Sequence, residues 1–114
     1  MNLQIQFSVS QIPLSYRMMI VSLIKECVRA GDEATYAHYF HAQKHLPKPY
    51  TFSVLLKNYR IQEDTISVDG LQLNVSSSDY RFLIPFLNGM QQIRHFKYKQ
   101  FQMSRGAIRC LPER

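Results

Sequence analysis

Cysteine, glycine and acidic residues are the scarce components of this 114-residue chain, and each scarcity narrows what it can do. Its two cysteines, Cys27 and Cys110, lie far apart, so they build neither a short-spaced zinc motif nor a Cys-x-x-Cys redox pair. A reducing, cytoplasmic location is the expectation. The four glycines are scattered and form no glycine-rich loop. Only eight Asp and Glu oppose fourteen Lys and Arg, and the resulting net charge of +6 points to an anionic partner, most commonly nucleic acid. No apolar run approaches the ~18 residues of a membrane span. The opening Met1-Asn2-Leu3-Gln4 alternates polar with apolar and does not resemble a signal peptide. Internal repeats, low-complexity tracts and linkers are also missing.

What remains is an ordinary globular composition, 46% hydrophobic and 19% charged, expected to form a single domain over residues 1–114. The charge is uneven. Six of the Lys and Arg residues fall between 94 and 114 against one acid, Glu113, whereas residues 58–93 hold two bases and four acids.

Leu3, Ile5, Phe7 and Val9 alternate with polar residues, which predicts a half-buried strand ending near Pro13. Ser15 can cap a helix whose apolar stripe is Met19, Ile20, Leu23, Ile24, Cys27 and Val28, with Gly31 as its stop. Asp32 can cap a second, shorter helix through Ala34, Ala37, Phe40 and His41. From Tyr50 the period becomes two, giving a strand through Phe52, Val54 and Leu56. Ile66 and Val68, then Asp69-Gly70, then Leu71, Leu73 and Val75 predict a hairpin with a tight Asp-Gly turn. Ser77 or Ser78 can cap a further helix carrying Phe82, Leu83, Phe86, Leu87 and Met90, with Pro85 expected to kink or shorten it. In the final strand, from Arg94 to Cys110, the apolar face switches at Lys99-Gln100, which predicts a bulge or register break. The order of elements predicts an α+β, ferredoxin-like βαββαβ domain with an extra short helix and a hairpin.

Three of the four histidines, His38, His41 and His45, and the lysines Lys44 and Lys48 lie within residues 38–48, just before the Tyr50 strand. These are the side chains that move protons and hold a phosphate. The plainer reading is a polar helix end and loop. A metal site from the three histidines is set aside, because the His-Glu-x-x-His form is missing and no carboxylate or cysteine is near.

A resemblance sharpens the reading. Ile12-Pro13-Leu14-Ser15-Tyr16-Arg17, followed by a helix with Ser22-Leu23-Ile24, resembles the start of the CRISPR repeat-processing endoribonucleases, the Cas-six type members of the RAMP superfamily. Tyr39-Phe40-His41 leading to Lys48-Pro49-Tyr50-Thr51-Phe52-Ser53 is similar to that family's His–Lys–aromatic-Thr-aromatic-Ser segment, and Leu73 to Asp79 is similar to its serine-ended strand. The resemblance covers nearly the whole chain, and Lys-Pro-Tyr-Thr-Phe-Ser is its most specific part.

The resemblance implies a RAMP or RRM-like fold and an endoribonuclease that needs no metal or other cofactor. In that family the 2′-hydroxyl attacks the adjacent phosphate, leaving a 2′,3′-cyclic phosphate and a 5′-hydroxyl, a reaction closed to DNA. It implies His41 as general acid or base and Lys48 as the cation on the phosphate. Lys25 occupies the position of a tyrosine that some members use as a further catalytic group, so either the lysine substitutes for it or that role is absent. His38, Lys44 and His45 are additional candidates for RNA contact, although a solvated polar face is the plainer reading of both His38 and His45. Members generally carry two ferredoxin-like domains, the second with a glycine-rich loop. The expected partners are therefore CRISPR repeat RNA in a precursor transcript, and a C-terminal domain, other CRISPR effector subunits or a second copy; a membrane is not among them.

The basic segment Arg94-His95-Phe96-Lys97-Tyr98-Lys99 interleaves cations with aromatics. That makes Arg94, Lys97 and Lys99 candidates for RNA contact. An edge strand guarded by lysines is the alternative, with His95 a surface residue. The other functional readings of the whole chain are a non-catalytic RNA-binding or scaffold module of a CRISPR ribonucleoprotein, and a ferredoxin-like dimerisation domain unrelated to RNA.

Overall fold

The computed structural model describes residues 1–40 and 48–111. Strand β1 (Asn2–Ser8) buries Leu3, Ile5 and Phe7 and leaves Gln4 and Gln6 on the other face, as its alternation predicts. It lies at the centre of a five-stranded antiparallel sheet in the order β3-β6-β1-β8-β7. The partners are β3 (Thr51–Leu56), β6 (Leu71–Ser76), β7 (His95–Tyr98) and β8 (Phe101–Leu111). Helices α1 (Tyr16–Gly31) and α3 (Tyr80–Gln92) pack together on the apolar face, and α2 (Glu33–Phe40) leans on α1. This is the ferredoxin-like βαββαβ arrangement, with α2 as the extra short helix and β7 added at one edge. The core joins β1, β6 and β8 to the α1 stripe Met19, Ile20, Leu23, Ile24, Cys27 and Val28, all fully buried. Burial pushes the Cys27 thiol up to about 12, so it is an inert packing group, and its Sγ faces Met90 Sδ at 3.8 Å.

Four local expectations are corrected. Asp69-Gly70 is not a hairpin turn: β5 (Thr65–Ser67) pairs with β2 (Gln11–Pro13) and β4 (Arg60–Ile61), whereas β6 pairs with β1 and β3. The tight hairpin joins β4 to β5 instead, and Gly70, at φ 150°, is where the chain passes from this small sheet to the large one. Lys99-Gln100 is likewise a two-residue turn, with Tyr98 paired to Phe101 and Lys99 at φ 55°. The irregularity in β8 falls later, where Ile5 faces Ile108 but Phe7 faces Arg105.

The third correction concerns Pro85, which neither ends nor shortens α3. A proline inside a helix costs ~3 kcal/mol. Full burial of Phe82 and Phe86 on either side returns ~2–3 kcal/mol each. Gly31 and Gly89 mark a close crossing of α1 and α3. A Cβ at Gly31 would run into the Pro85 carbonyl, and one at Gly89 into the Cys27 carbonyl. Gly89 is therefore a packing requirement rather than a stop signal. Fourth, α3 is capped by Asp79, which accepts from the Arg81 N–H at 2.9 Å, and not by Ser77 or Ser78. Ser15 does occupy the N-cap of α1, but its side chain makes no capping bond. Asp32 caps α2 as expected, accepting from the Ala34 N–H and the Thr35 hydroxyl.

Candidate nucleic-acid interface

At the β3 edge of the sheet, aromatic rings spaced i,i+4 on α2 and i,i+2 entering β3 meet in one run. Tyr36 and Phe40 have centroids 5.7 Å apart, Phe40 and Tyr50 6.4 Å, and Tyr50 and Phe52 6.4 Å. Tyr50 also stacks on buried Phe82 at 4.8 Å, which ties the run to the core, and burial raises its phenol pKa. Cations lie over this run. The Arg17 guanidinium is 4.5 Å from the Phe52 centroid, and Lys48 Nζ is 4.5 Å from that of Phe40. Lys25 Nζ is 5.9 Å from the same Phe40 ring, and the Arg29 guanidinium is 5.8 Å from Tyr36. Arg29 is already balanced by Glu26 at 3.6 Å and Glu33 at 3.4 Å. Arg17, Lys25 and Lys48 have no carboxylate within ion-pair distance among the described residues, so their charge is available to a ligand.

Lys48 is the most constrained of these cations. Its ammonium donates to the Tyr39 carbonyl at 2.9 Å while resting on Phe40. The loss of water around it, and secondarily the charge of Lys25, lower its pKa from the ordinary lysine range. The neighbouring chain is fixed from the α3 side. The Ser77 hydroxyl donates to the Pro49 carbonyl and accepts from the Asp79 N–H. The Tyr39 phenol donates to Asp79 Oδ2 at 2.5 Å. That bond is the main reason the Tyr39 pKa rises and the Asp79 pKa falls. Tyr39 thus links the α3 cap to Lys48, through its side chain on one side and its carbonyl on the other.

The structure therefore brings Lys25 and Lys48 together. His41, Lys44 and His45 lie outside the described residues. His38 is exposed, sits edge-on to Tyr39 at 4.7 Å, and lines a shallow cavity with Ala34, Thr35 and Arg81. Among the described residues no three His, Cys, Asp or Glu side chains converge as metal ligands would. Sequence reasoning assigned no role to Arg17, Arg29 or the aromatic run. The legible signal was cations along one flank of α1 facing rings at 36, 40, 50 and 52.

Arg94, Lys97 and Lys99 are not part of this group. They lie at the β7 edge, four strand spacings or ~19 Å across the sheet from β3. All three are exposed. Arg94 uses its carbonyl to accept from the Arg105 N–H at 2.7 Å, and Lys99 Nζ hovers 5.4 Å from the Tyr98 centroid. Between the edges, the uncovered face of the sheet is a layer of amides and hydroxyls. Gln6 bonds to Gln72 at 2.7 Å, Gln72 to Asn74 at 3.3 Å, Gln4 to Asn74 at 3.5 Å and Asn74 to Ser53 at 3.4 Å. None of the five strands carries an Asp or Glu. No helix among the described residues is long and apolar enough to cross a membrane.

No protein-family model matches the chain, and no curated protein matches it by sequence. Solved structures do. The whole chain superposes on a RAMP protein described as binding different RNA substrates (TM-score 0.81, 17% identity). It also superposes on a CRISPR-associated protein Cas6 (TM-score 0.70, 18% identity) and on the product of a Cas6-related gene from Pyrococcus furiosus (TM-score 0.71, 18% identity). In each case the chain spans 49% of the other's length. The fold is thus of the Cas6 and RAMP type, as the sequence motifs imply.

Proposed function

We propose that the cation and aromatic cluster at the β3 edge is the RNA-cleaving site of a metal-independent endoribonuclease acting on CRISPR repeat RNA. The observation that carries this reading is Lys48. Its ammonium is held between the Phe40 ring and the Tyr39 carbonyl, beside a second ammonium, in the segment that follows His41 in sequence. Two ammonium groups crowded on one ring repel each other, and an intervening phosphodiester relieves that repulsion. In the proposed reaction the 2′-hydroxyl gives up its proton as it attacks the adjacent phosphorus, and the 5′-oxygen takes up a proton as the P–O5′ bond breaks. His41 serves one of these transfers and water the other. Lys48 stabilises the charge growing on the phosphoryl oxygens, and the 5′-oxygen leaves as a hydroxyl. Lys25 supports the same charge from across the Phe40 ring. Arg17 over Phe52 extends the cationic track along the strand. The likeness to a RAMP protein described as binding different RNA substrates supports RNA as the partner class.

The test is incubation of the chain with CRISPR repeat RNA in EDTA. The expected outcome is cleavage that leaves a 2′,3′-cyclic phosphate, is blocked by a 2′-deoxy nucleotide at the cut, and falls ~10²-fold or more in His41→Ala. Cleavage of the 2′-deoxy substrate would overturn the mechanism. A second reading, a non-catalytic RNA-binding or scaffold module, is favoured by the acid-free sheet, whose layer of amides and hydroxyls offers binding chemistry for a polyanion. Salt-dependent binding with no product would select it.

A further inference from the structure

The opposite side of α1 holds a groove that the cleavage chemistry does not use. Ser22 and Glu26 of α1 and His95, Phe96, Lys97, Tyr98 and Lys99 of β7 and its turn are among its lining residues, and it is an open depression of about 530 Å³. That is within the size range of a small-ligand site. Phe96 and Tyr98 are half-buried, lie opposite Met103 and Phe101 in the β7–β8 register and pack against the core, so each ring is partly held and partly reachable. A cation already uses one of those faces: the Lys99 ammonium over Tyr98. Opposite the rings, the groove's single acid, Glu26, has a side chain 54% exposed and is engaged by Arg29 only through Oε1.

We infer that this groove is a base-selective subsite for one nucleotide of single-stranded RNA, with a preference for guanine. The inference rests on the RNA-binding reading above and adds a recognition element on the other flank of α1. The residues divide the work. Tyr98 and Phe96 offer a stacking surface that any base can use. Lys97 and Lys99 supply charge for the flanking phosphates, and moving a solvated lysine from Tyr98 to a phosphate costs little. Selectivity falls to Glu26. A carboxylate only accepts hydrogen bonds, and guanine is the one base with two adjacent donors, N1–H and N2–H₂, on its pairing edge. Adenine and cytosine place an acceptor beside their single amino group. Uracil places carbonyls on both sides of its one N–H. Each of those three sets an acceptor against the carboxylate.

The test follows side-chain NMR shifts of Phe96 and Tyr98 in the full chain during titration with the pentaribonucleotides UUGUU, UUAUU, UUCUU and UUUUU. UUGUU is expected to bind about tenfold more tightly than the others. Glu26→Gln, a half-exposed substitution that leaves the core untouched, is expected to abolish the preference while retaining binding. Lys97→Gln is expected to weaken all four oligonucleotides alike. Equal affinities for the four, or a preference that survives Glu26→Gln, overturn the inference. Shifts confined to the Arg17–Lys48 cluster overturn it while leaving the RNA-binding reading standing, whereas no shifts anywhere in the chain overturn both.

Discussion

The two edges of the five-stranded sheet carry similar ingredients and arrange them differently. At the β3 edge, lysine and arginine rest on an aromatic run that is stacked back to the core through Tyr50 and Phe82, and one ammonium is tied to a main-chain carbonyl. At the β7 edge, the lysines are exposed on a short strand and its turn, and only Lys99 touches a ring. The first arrangement fixes charge in place at some cost in desolvation. The second leaves charge hydrated and adaptable. Pre-organised charge suits a developing transition state, whereas hydrated charge suits steering and holding a polyanion. Composition alone does not separate these roles; the packing behind the cations does.

The sharpest way to break the comparison is to remove one lysine from each edge. Lys48→Ala is expected to lower the single-turnover cleavage rate by ~10²-fold with little change in RNA affinity. Lys97→Ala should leave that rate at saturating RNA unchanged. If both variants lose only affinity, the edges do not differ in kind.

A smaller effect is expected from salt. Replacing Lys97 and Lys99 together with Gln should reduce the slope of log affinity against log salt by about 1.4, roughly 0.7 for each phosphate contact on a single strand, as read by a binding series across salt concentrations.

The pH dependence sharpens the β3 side. Desolvation, and then the charge of Lys25, lower the Lys48 pKa, so the protonated form is lost earlier on the alkaline side than for an ordinary lysine. Cleavage that needs the ammonium should decline there first. Lys25→Met removes the second cause and should shift that decline to higher pH, measured as a rate profile.

The smallest effect concerns the support behind Lys48. Tyr39→Phe keeps the ring against Phe82, at 6.2 Å between centroids, and deletes the bond to Asp79. It should cost about 1 kcal/mol in denaturant unfolding near neutral pH. Asp79 has a depressed pKa, so its contribution is present above the unfolded carboxylate value and lost as pH falls through the folded one. The difference between wild type and Tyr39→Phe should therefore shrink in acid.

Much of the fold was legible because its signals were periodic. The stripe from Met19 to Val28 and the alternation in β1 predicted which residues are buried. The turns were less legible. Asp69-Gly70 has the composition of a hairpin turn, but pairing of β5 with β2, distant in sequence, assigned its neighbours to another sheet. Pro85 gave a correct local warning that burial of Phe82 and Phe86 outweighed. For the candidate site, Lys48 stood out in the histidine- and lysine-rich run of residues 38–48, and Lys25 only through the family resemblance. Their shared contact with Phe40 depends on how α2 packs on α1, which no local pattern encodes. Arg17 went unassigned for a similar reason, since its ring partner Phe52 is on a different element.

The reciprocal contacts of Gly31 with Pro85 and Gly89 with Cys27 act as a spacer gauge for the molecule. Main chain rests against main chain there, so the distance from α1 to α3 does not depend on which side chains α1 shows to solvent. The outward surface of α1 is thus an exchangeable face on a fixed chassis. Residues 17, 22, 25, 26 and 29 can be varied to retune both flanks of α1 without resetting the helix beneath them.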